Sequence, residues 1–588
     1  MKYFYKSKYK FFFKYAAVLL IVFFLGIFTE RFDFDSKINN FFKNYLDSVS
    51  RFIYSLNSSE KIFIYVEPRH YDNIIKSREL SLKQGKLTED LEDWVPAQMS
   101  DNDNTKDVKA RVWYERALRE GATGERKDKL IQTIDEWIPA ELRSNENSHN
   151  IRIRLKGVWP DHWKDPVQWS FKIKVNEDSN PIYGFKRFVV QPPKTLSYLY
   201  EWLFMKALEK EGLISLGARY VDVVVNGNSR GAYILQGQVS EEILKKNNRP
   251  KGPVIGFSKH LWIQEQINGA RMNKIGATDS LNGLEDTFWR SKIDPVQFSD
   301  SNIGTEQEIY LKKAIFLLES FRNGSLKTSQ VFDTDQLSKV MALRAVLGSS
   351  EFDYLDTKFY FNPDTSLLEP ISREVHVYLD TNWKNHYYSW WIDSSKIRSH
   401  YTNNTNFFID LLYKDKDFRR KYLSELKNFS ETNYYENLIN DNIKEFNNYK
   451  KILKRNYPTK DIFSIEQIKV TRSRVQDLLD PVQGLNVYFQ DYKDNFLFLN
   501  VSNVQRLPIE ILGLELEDNS LIYEKKPILI NGKKPLQASS NNVVKINCTF
   551  KEECKKLSIN RQKIIFRILG QDREKKTEIS QHYFNETK

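Results

Sequence analysis

The sequence predicts an α+β protein that begins with a transmembrane helix and ends in a β-sandwich. Three observations carry this reading. A lysine-flanked apolar run stands at the start, the middle of the chain mixes strand and helix periods, and beyond residue 484 only short alternating strands remain.

Lys2, Lys6, Lys8, Lys10 and Lys14 lead into an uncharged run from Tyr15 to Phe28, extended backwards by Phe11, Phe12 and Phe13. About eighteen residues at ~1.5 Å each span roughly 27 Å, enough to cross a bilayer's hydrocarbon core. The lysines before the run, and Glu30, Asp33 and Asp35 after it, orient the N-terminus to the cytoplasm and the bulk outside. Gly26-Ile27-Phe28 passes into Thr29-Glu30-Arg31 without a small-x-small cleavage site, so an uncleaved anchor over 1–30 is expected. Residues 31–60 follow as an amphipathic helix, with Ile38, Phe41, Phe42, Tyr45, Leu46, Val49, Phe52 and Ile53 at helical spacing.

KIFIYV (Lys61 to Val66) opens a β-rich extension over 61–150. Within it Asp93-Trp94-Val95-Pro96-Ala97 echoes Glu136-Trp137-Ile138-Pro139-Ala140. At the same offset, Val108-Lys109-Ala110-Arg111-Val112 echoes Ile151-Arg152-Ile153-Arg154-Leu155. Both of the latter alternate apolar with basic residues, the pattern of a strand buried on one face. Residues 151–260 read as a mixed sheet with one helix, Leu196 to Glu211, stopped by Gly212. Helical patterns dominate about 305–350 and 405–480. Between them FYFNPDTSLLEPI (Phe359 to Ile371) makes two strands around an Asn-Pro-Asp turn. The segments NVYF, NFLFLNV, LPIEILGLEL, KPILI and KIIFRIL then give a sandwich over 481–588.

A chain of 588 residues is too long for one ordinary core. With 89 basic residues mixed among 77 acidic ones, the net charge of +12 does not point to a nucleic-acid partner. Cys548 and Cys554 are too few for a cysteine zinc site, and outside the cytoplasm a local disulfide or two separate thiols are both open to them. There is no P-loop, dinucleotide fingerprint or nucleophile elbow.

IRIRLKG, DHW, WSFKIKV, GFKRF, LYEWLF and YVDVVVNGNSRGAYILQGQ follow one another between Ile151 and Gln238. Alternation places Lys172 and Lys174 together on one strand face, where a solvated surface is the plain alternative to a ligand site. Asn226-Gly227 suits a tight hairpin turn. This order resembles the spore-coat-protein-H (CotH) kinase-like family, and the resemblance implies an atypical protein-kinase-like two-lobed domain over 151–480. It implies that Lys172, Lys174 and Lys186 bind ATP phosphates. It also implies that Asp353, in FDYLDTKFYFNPD, is the catalytic base, and that Asp356, Glu374 and Asp380 hold Mg or Mn. The chain departs from the family at two places. Gln236 and Gly237 stand where a glutamate ends the returning strand, and Ser372-Arg373-Glu374 stands where an aspartate follows LEPI.

Asn382 to Asp393 concentrates two tyrosines and two tryptophans after Trp383, either a buried patch or a stacking surface for sugars or bases. Two functions are therefore expected. One is a membrane-anchored atypical kinase transferring phosphoryl groups to a protein or envelope substrate. The other is a degenerate kinase-like scaffold binding a protein or glycan of the cell envelope.

Overall fold

The computed structural model describes residues 60–84, 137–144, 147–157, 160–258, 283–296, 302–349, 352, 354–377, 407–481, 484–533, 538–548 and 562–580. The first body is built from β1 (Lys61–Tyr65), α1 (Pro68–Gln84), β2 (Ile138–Ser144), β3 (Asn147–Leu155), β4 (Phe171–Val175), β5 (Arg187–Gln191), α2 (Leu199–Lys210), β6 (Arg219–Val225) and β7 (Asn228–Gly237). Its seven strands close into a barrel in the order β1-β2-β3-β4-β5-β7-β6.

Period-two alternation fills this barrel. Ile62 and Ile64, Ile151, Ile153 and Leu155, Phe171, Ile173 and Val175, and Phe188 and Val190 all point inward and are buried. Closure comes from β1, which pairs antiparallel with β2 and parallel with β6, Ile62 opposite Val223. Asn226 secures that seam. Its Oδ1 accepts from the Val66 N–H at 2.8 Å and its Nδ2 donates to the Val66 carbonyl at 3.0 Å. Asn226 and Gly227 both take positive φ, +48° and +77°, as their hairpin turn requires.

The second body contains α3 (Glu241–Lys246), β8 (Val254–Phe257), α4 (Gly283–Arg290), β9 (Ile293–Val296), α5 (Glu306–Arg322), α6 (Thr328–Val331), α7 (Thr334–Leu347), β10 (Lys358–Asn362) and β11 (Leu367–Ile371). It continues with α8 (Phe407–Lys414), α9 (Lys416–Glu431), α10 (Tyr434–Asp441), α11 (Ile443–Asn456) and α12 (Ile465–Leu479). A four-stranded sheet of order β11-β10-β8-β9 lies among these helices. Almost wholly buried, α7 packs against α2, α9, α12 and β11, and so joins barrel to helices.

Two antiparallel sheets complete the chain: β12 (Leu485–Lys493), β13 (Phe496–Asn503) and β16 (Asn541–Asn547), and β15 (Leu521–Ile530), β14 (Ile509–Glu515), β17 (Lys563–Ile568) and β18 (Glu574–Glu578). Glu510, buried on β14, holds them to α9 by accepting from Arg420 at 2.6 Å, and it also accepts from Arg567 at 2.9 Å.

The fold class expected from the sequence needs correction. In place of a kinase-like two-lobed domain starting at 151, a closed seven-stranded barrel draws β1 and β2 from the preceding extension. The reason is physical: the outer strands have open edges, and β1 covers both by pairing with β2 on one side and β6 on the other. Among the described residues no helix is long and apolar enough to cross a membrane. The expected anchor at 1–30 and helix at 31–60 lie, all but Glu60, outside the described residues, as do the first copy of the quasi-repeat and the aromatic cluster at 382–393.

Candidate functional site

The IRIRLKG motif carries a buried lysine just before its final glycine. Lys156 follows β3 directly, and its N–H donates to the Ser170 carbonyl at 2.9 Å, just before β4 begins. Alternation keeps it on the outer face of the barrel with Arg152 and Arg154, but here the face is covered and Lys156 is 7 % exposed. Its Nζ donates to Gln191 Oε1 at 2.6 Å and pairs with Glu374 Oε1 at 3.4 Å. The cation fixes the Gln191 amide, since only the oxygen can face it. Gln191 Nε2 is therefore the amide's other end, a buried donor with no hydrogen-bond acceptor among the described residues.

The DHW motif packs around this lysine. Gly157 takes φ +96°, and a Cβ there would collide with the His162 imidazole. Trp163 Nε1 donates to the Gly157 carbonyl at 3.1 Å, and His162 Nδ1 lies 2.9 Å from Ser170 Oγ. Asp161 is exposed to solvent on one side, with protein close around its carboxyl. Burial raises its carboxyl above the ordinary range. Lys156 and His376 partly offset that rise, and the Glu374 charge adds to it.

Glu374 comes from the segment Ser372–Val377, which leaves β11 in a strained course. Glu374 has φ +56° and His376 φ +24°, conformations costing about 1–3 kcal/mol each outside glycine. Two buried charges hold it. Glu201, on α2 and fully buried, accepts from the Glu374 N–H at 3.3 Å, the Val375 N–H at 2.7 Å and Gln236 Nε2 at 2.8 Å. Arg344, on α7, donates to Ser372 Oγ at 2.7 Å and to the carbonyls of Arg373 and Glu374 at 3.2 and 3.0 Å. Ser197 bonds both backbone groups of Val377. Three separate elements thus fix one short segment.

The residues expected to form the site are distributed differently. Glu374 meets Lys156, which was not among the lysines expected to bind phosphate. Lys172 and Lys174 project from the outer face of β4, with Lys172 opposite Arg154 and Val189, and Lys174 opposite Arg152 and Arg187. Lys174 and Lys186 line a different cleft of about 720 Å³, between the barrel and β8–β9. Lys186 Nζ is itself bound to the Glu177 carbonyl. Asp356 lies two residues before β10 and Glu374 three after β11, at the same end of that hairpin, whose last pair is Lys358 with Ile371. Asp353 and Asp380 lie outside the described residues. Among the described residues no group of three or more His, Cys, Asp or Glu side chains is gathered to hold a metal ion.

Sequence reasoning missed Lys156, Gln191, Glu201 and Arg344, and reached Asp161 only as part of the DHW motif. One signal was available for the first: IRIRLKG continues its alternation through Lys156, on the face where Arg152 and Arg154 stand. At the chain's end Cys548 is buried and disulfide-bonded, and Cys554 is the chain's other cysteine. No known family model matches the chain, and no curated protein matches it.

Proposed function

We propose that the protein is a metal-dependent phosphotransferase of the CotH-like atypical kind, with Lys156 as the residue that grips ATP phosphates. The observation that carries this reading is the buried ammonium of Lys156, set between Gln191 and Glu374 beside a Gln191 Nε2 donor that lacks an acceptor among the described residues. Burying a charge costs several kcal/mol on the usual scale. Lys156 together with an amide donor suits a ligand rich in negative oxygens.

The activity implies Mg or Mn. Burial is the main cause of the raised Asp161 carboxyl, and the nearby Glu374 charge adds a smaller push the same way; two carboxylates so placed gain from a shared cation. Magnesium commonly takes only one or two protein carboxylates and completes its shell with phosphate and water. The residues therefore fit, and Asp161 and Glu374 would hold the ion. When bound, the ion neutralises charge on the transferred phosphoryl group. Lys156 then orients the phosphates, and Glu201 with Arg344 keeps the Glu374 carboxylate from swinging away. The disulfide at Cys548 supports a folded region working in an oxidising compartment outside the cytoplasm.

The non-catalytic alternative, an envelope scaffold, draws on Gln236, which stands where the family pattern carries glutamate. Incubation of the full chain with γ-labelled ATP and Mn separates the two. Transfer of label to the protein or to water, lost in Lys156→Met and in Asp161→Asn with melting temperature kept, supports the enzyme. Nucleotide binding without turnover supports the scaffold, and turnover unchanged in both variants refutes the site.

A further inference from the structure

We infer that the outward face of the sheet β12-β13-β16 binds a neutral glycan with flat, β-linked sugar rings. This does not rest on the phosphotransferase reading. Alternation on β13 buries Leu497, Leu499 and Val501 on one side and turns Phe496, Phe498, Asn500 and Ser502 to the other. The strand register builds cross-strand rows there. Tyr488, Asn500 and Val543 form one row, and Asn486, Ser502 and Asn541 the next. Neither row carries a charge. In the third row Asp491 and Lys545 flank Phe498 with opposite signs. A β-bulge between Phe489 and Asp491 re-aims β12 beside this row.

The sheet β15-β14-β17-β18 treats its polar side chains differently. Glu510 is paired with Arg567 there, and Glu515 with Lys563 and Lys576. The β13 face has amides, a hydroxyl and aromatic rings in place of such ion pairs. Asn500 stands at its centre, 7 % exposed, and its Oδ1 has no hydrogen-bond partner among the described residues. A buried acceptor without a donor is costly, and a ligand that brings the donor removes that cost. Tyr488 and Phe498, both half-buried, are diagonal neighbours roughly 7 Å apart beside Asn500. Phe496 is already capped by the Lys545 ammonium, 3.6 Å from its ring centre, so the Tyr488–Phe498 pair is the platform.

The charge pattern selects the occupant. Charged polymers gain little from two uncharged rows and a third whose charges cancel. An apolar protein surface would cover the amides without satisfying them. Sugar rings bring hydroxyls that donate and accept, and apolar C–H faces that lie against aromatic rings. β-1,4-Linked rings with equatorial hydroxyls keep those faces flat, which suits a sheet whose outer strand leaves Val543 61 % exposed.

The test titrates cellopentaose and chitopentaose into the full chain, followed by saturation-transfer NMR on the sugar protons. Saturable binding of either sugar is expected, with little change as salt rises. A difference between the two tells whether the acetamido group is read. Binding should weaken about tenfold or more in Asn500→Leu, which removes the amide at similar volume, and in Phe498→Ala. The melting temperature should not fall in Asn500→Leu, because the unpaired acceptor is gone, and this guards against misfolding of the second variant. Binding of ATP with Mn should be unchanged in both, since neither residue belongs to the Lys156 centre. Three outcomes would overturn the inference: no binding of either sugar at millimolar concentration, equal binding by wild type and Asn500→Leu, or equally tight binding of an uncharged peptide of matched length.

Discussion

Replacing Glu201 by glutamine should loosen one short segment and little else. The carboxylate accepts from Gln236 Nε2 and the Glu374 N–H on Oε1, and from the Val375 N–H on Oε2. A glutamine can keep the first two by placing its oxygen at Oε1, but its NH₂ then faces the Val375 N–H, donor to donor. One buried donor loses its acceptor, at about 1–3 kcal/mol. The strain at Glu374 and His376 gives the segment a reason to leave once that contact fails. Local opening should therefore become easier by about 1–3 kcal/mol, roughly 5- to 150-fold in an equilibrium constant. Amide hydrogen exchange read by mass spectrometry, on peptides covering 372–377, measures this directly. Faster exchange confined to that segment and the start of α2 is expected. Rates within twofold of wild type would refute the idea that Glu201 holds the strained course.

Other consequences follow from the same geometry. Asp165 is held below the ordinary carboxylate range. Burial alone would raise it, but Lys194 at 2.7 Å and the N–H groups of Val167 and Gln168 outweigh that. A depressed acid stabilises the fold above its unfolded pKa and loses that contribution as pH falls through the folded value. Asp165→Asn should therefore melt lower than wild type at pH 7 and draw level with it in acid, as followed by circular dichroism. Gly157→Ala places a Cβ against His162 at a positive φ, so urea unfolding should show a loss of about 2–4 kcal/mol or no folded protein; full stability would contradict the backbone course. Thiol titration of the unfolded, unreduced chain should find no free cysteine, because Cys548 is bonded; two titratable thiols would remove the support for an oxidising compartment.

Local periodicity was readable from the sequence, and long-range partnership was not. The alternation in IRIRL and FKIKV forecast which residues face inward, and Ile151, Ile153, Phe171 and Ile173 do so. Asn226-Gly227 forecast its hairpin turn. What alternation cannot show is which strand covers an edge. The pairing of β1 with β6 joins residues about 160 apart and turns a presumed sheet into a barrel. For the same reason Lys172 and Lys174 were good candidates for facing outward and poor ones for facing Glu374. Glu374 was legible as a site residue only through resemblance. Its partner Lys156, 218 residues earlier, depends on the course of the segment after β11 that Glu201 and Arg344 hold. Glu201 and Arg344 carry no sequence signal of their role, and only packing reveals them as buried grips on one loop.

Titration of ATP with Mn into the full chain, by calorimetry, bears most directly on the Lys156 centre. Saturable binding in wild type should fall at least tenfold in Lys156→Met and in Gln191→Leu, while Lys172→Met retains it. Binding that survives in Lys156→Met but disappears in Lys172→Met would contradict the assignment.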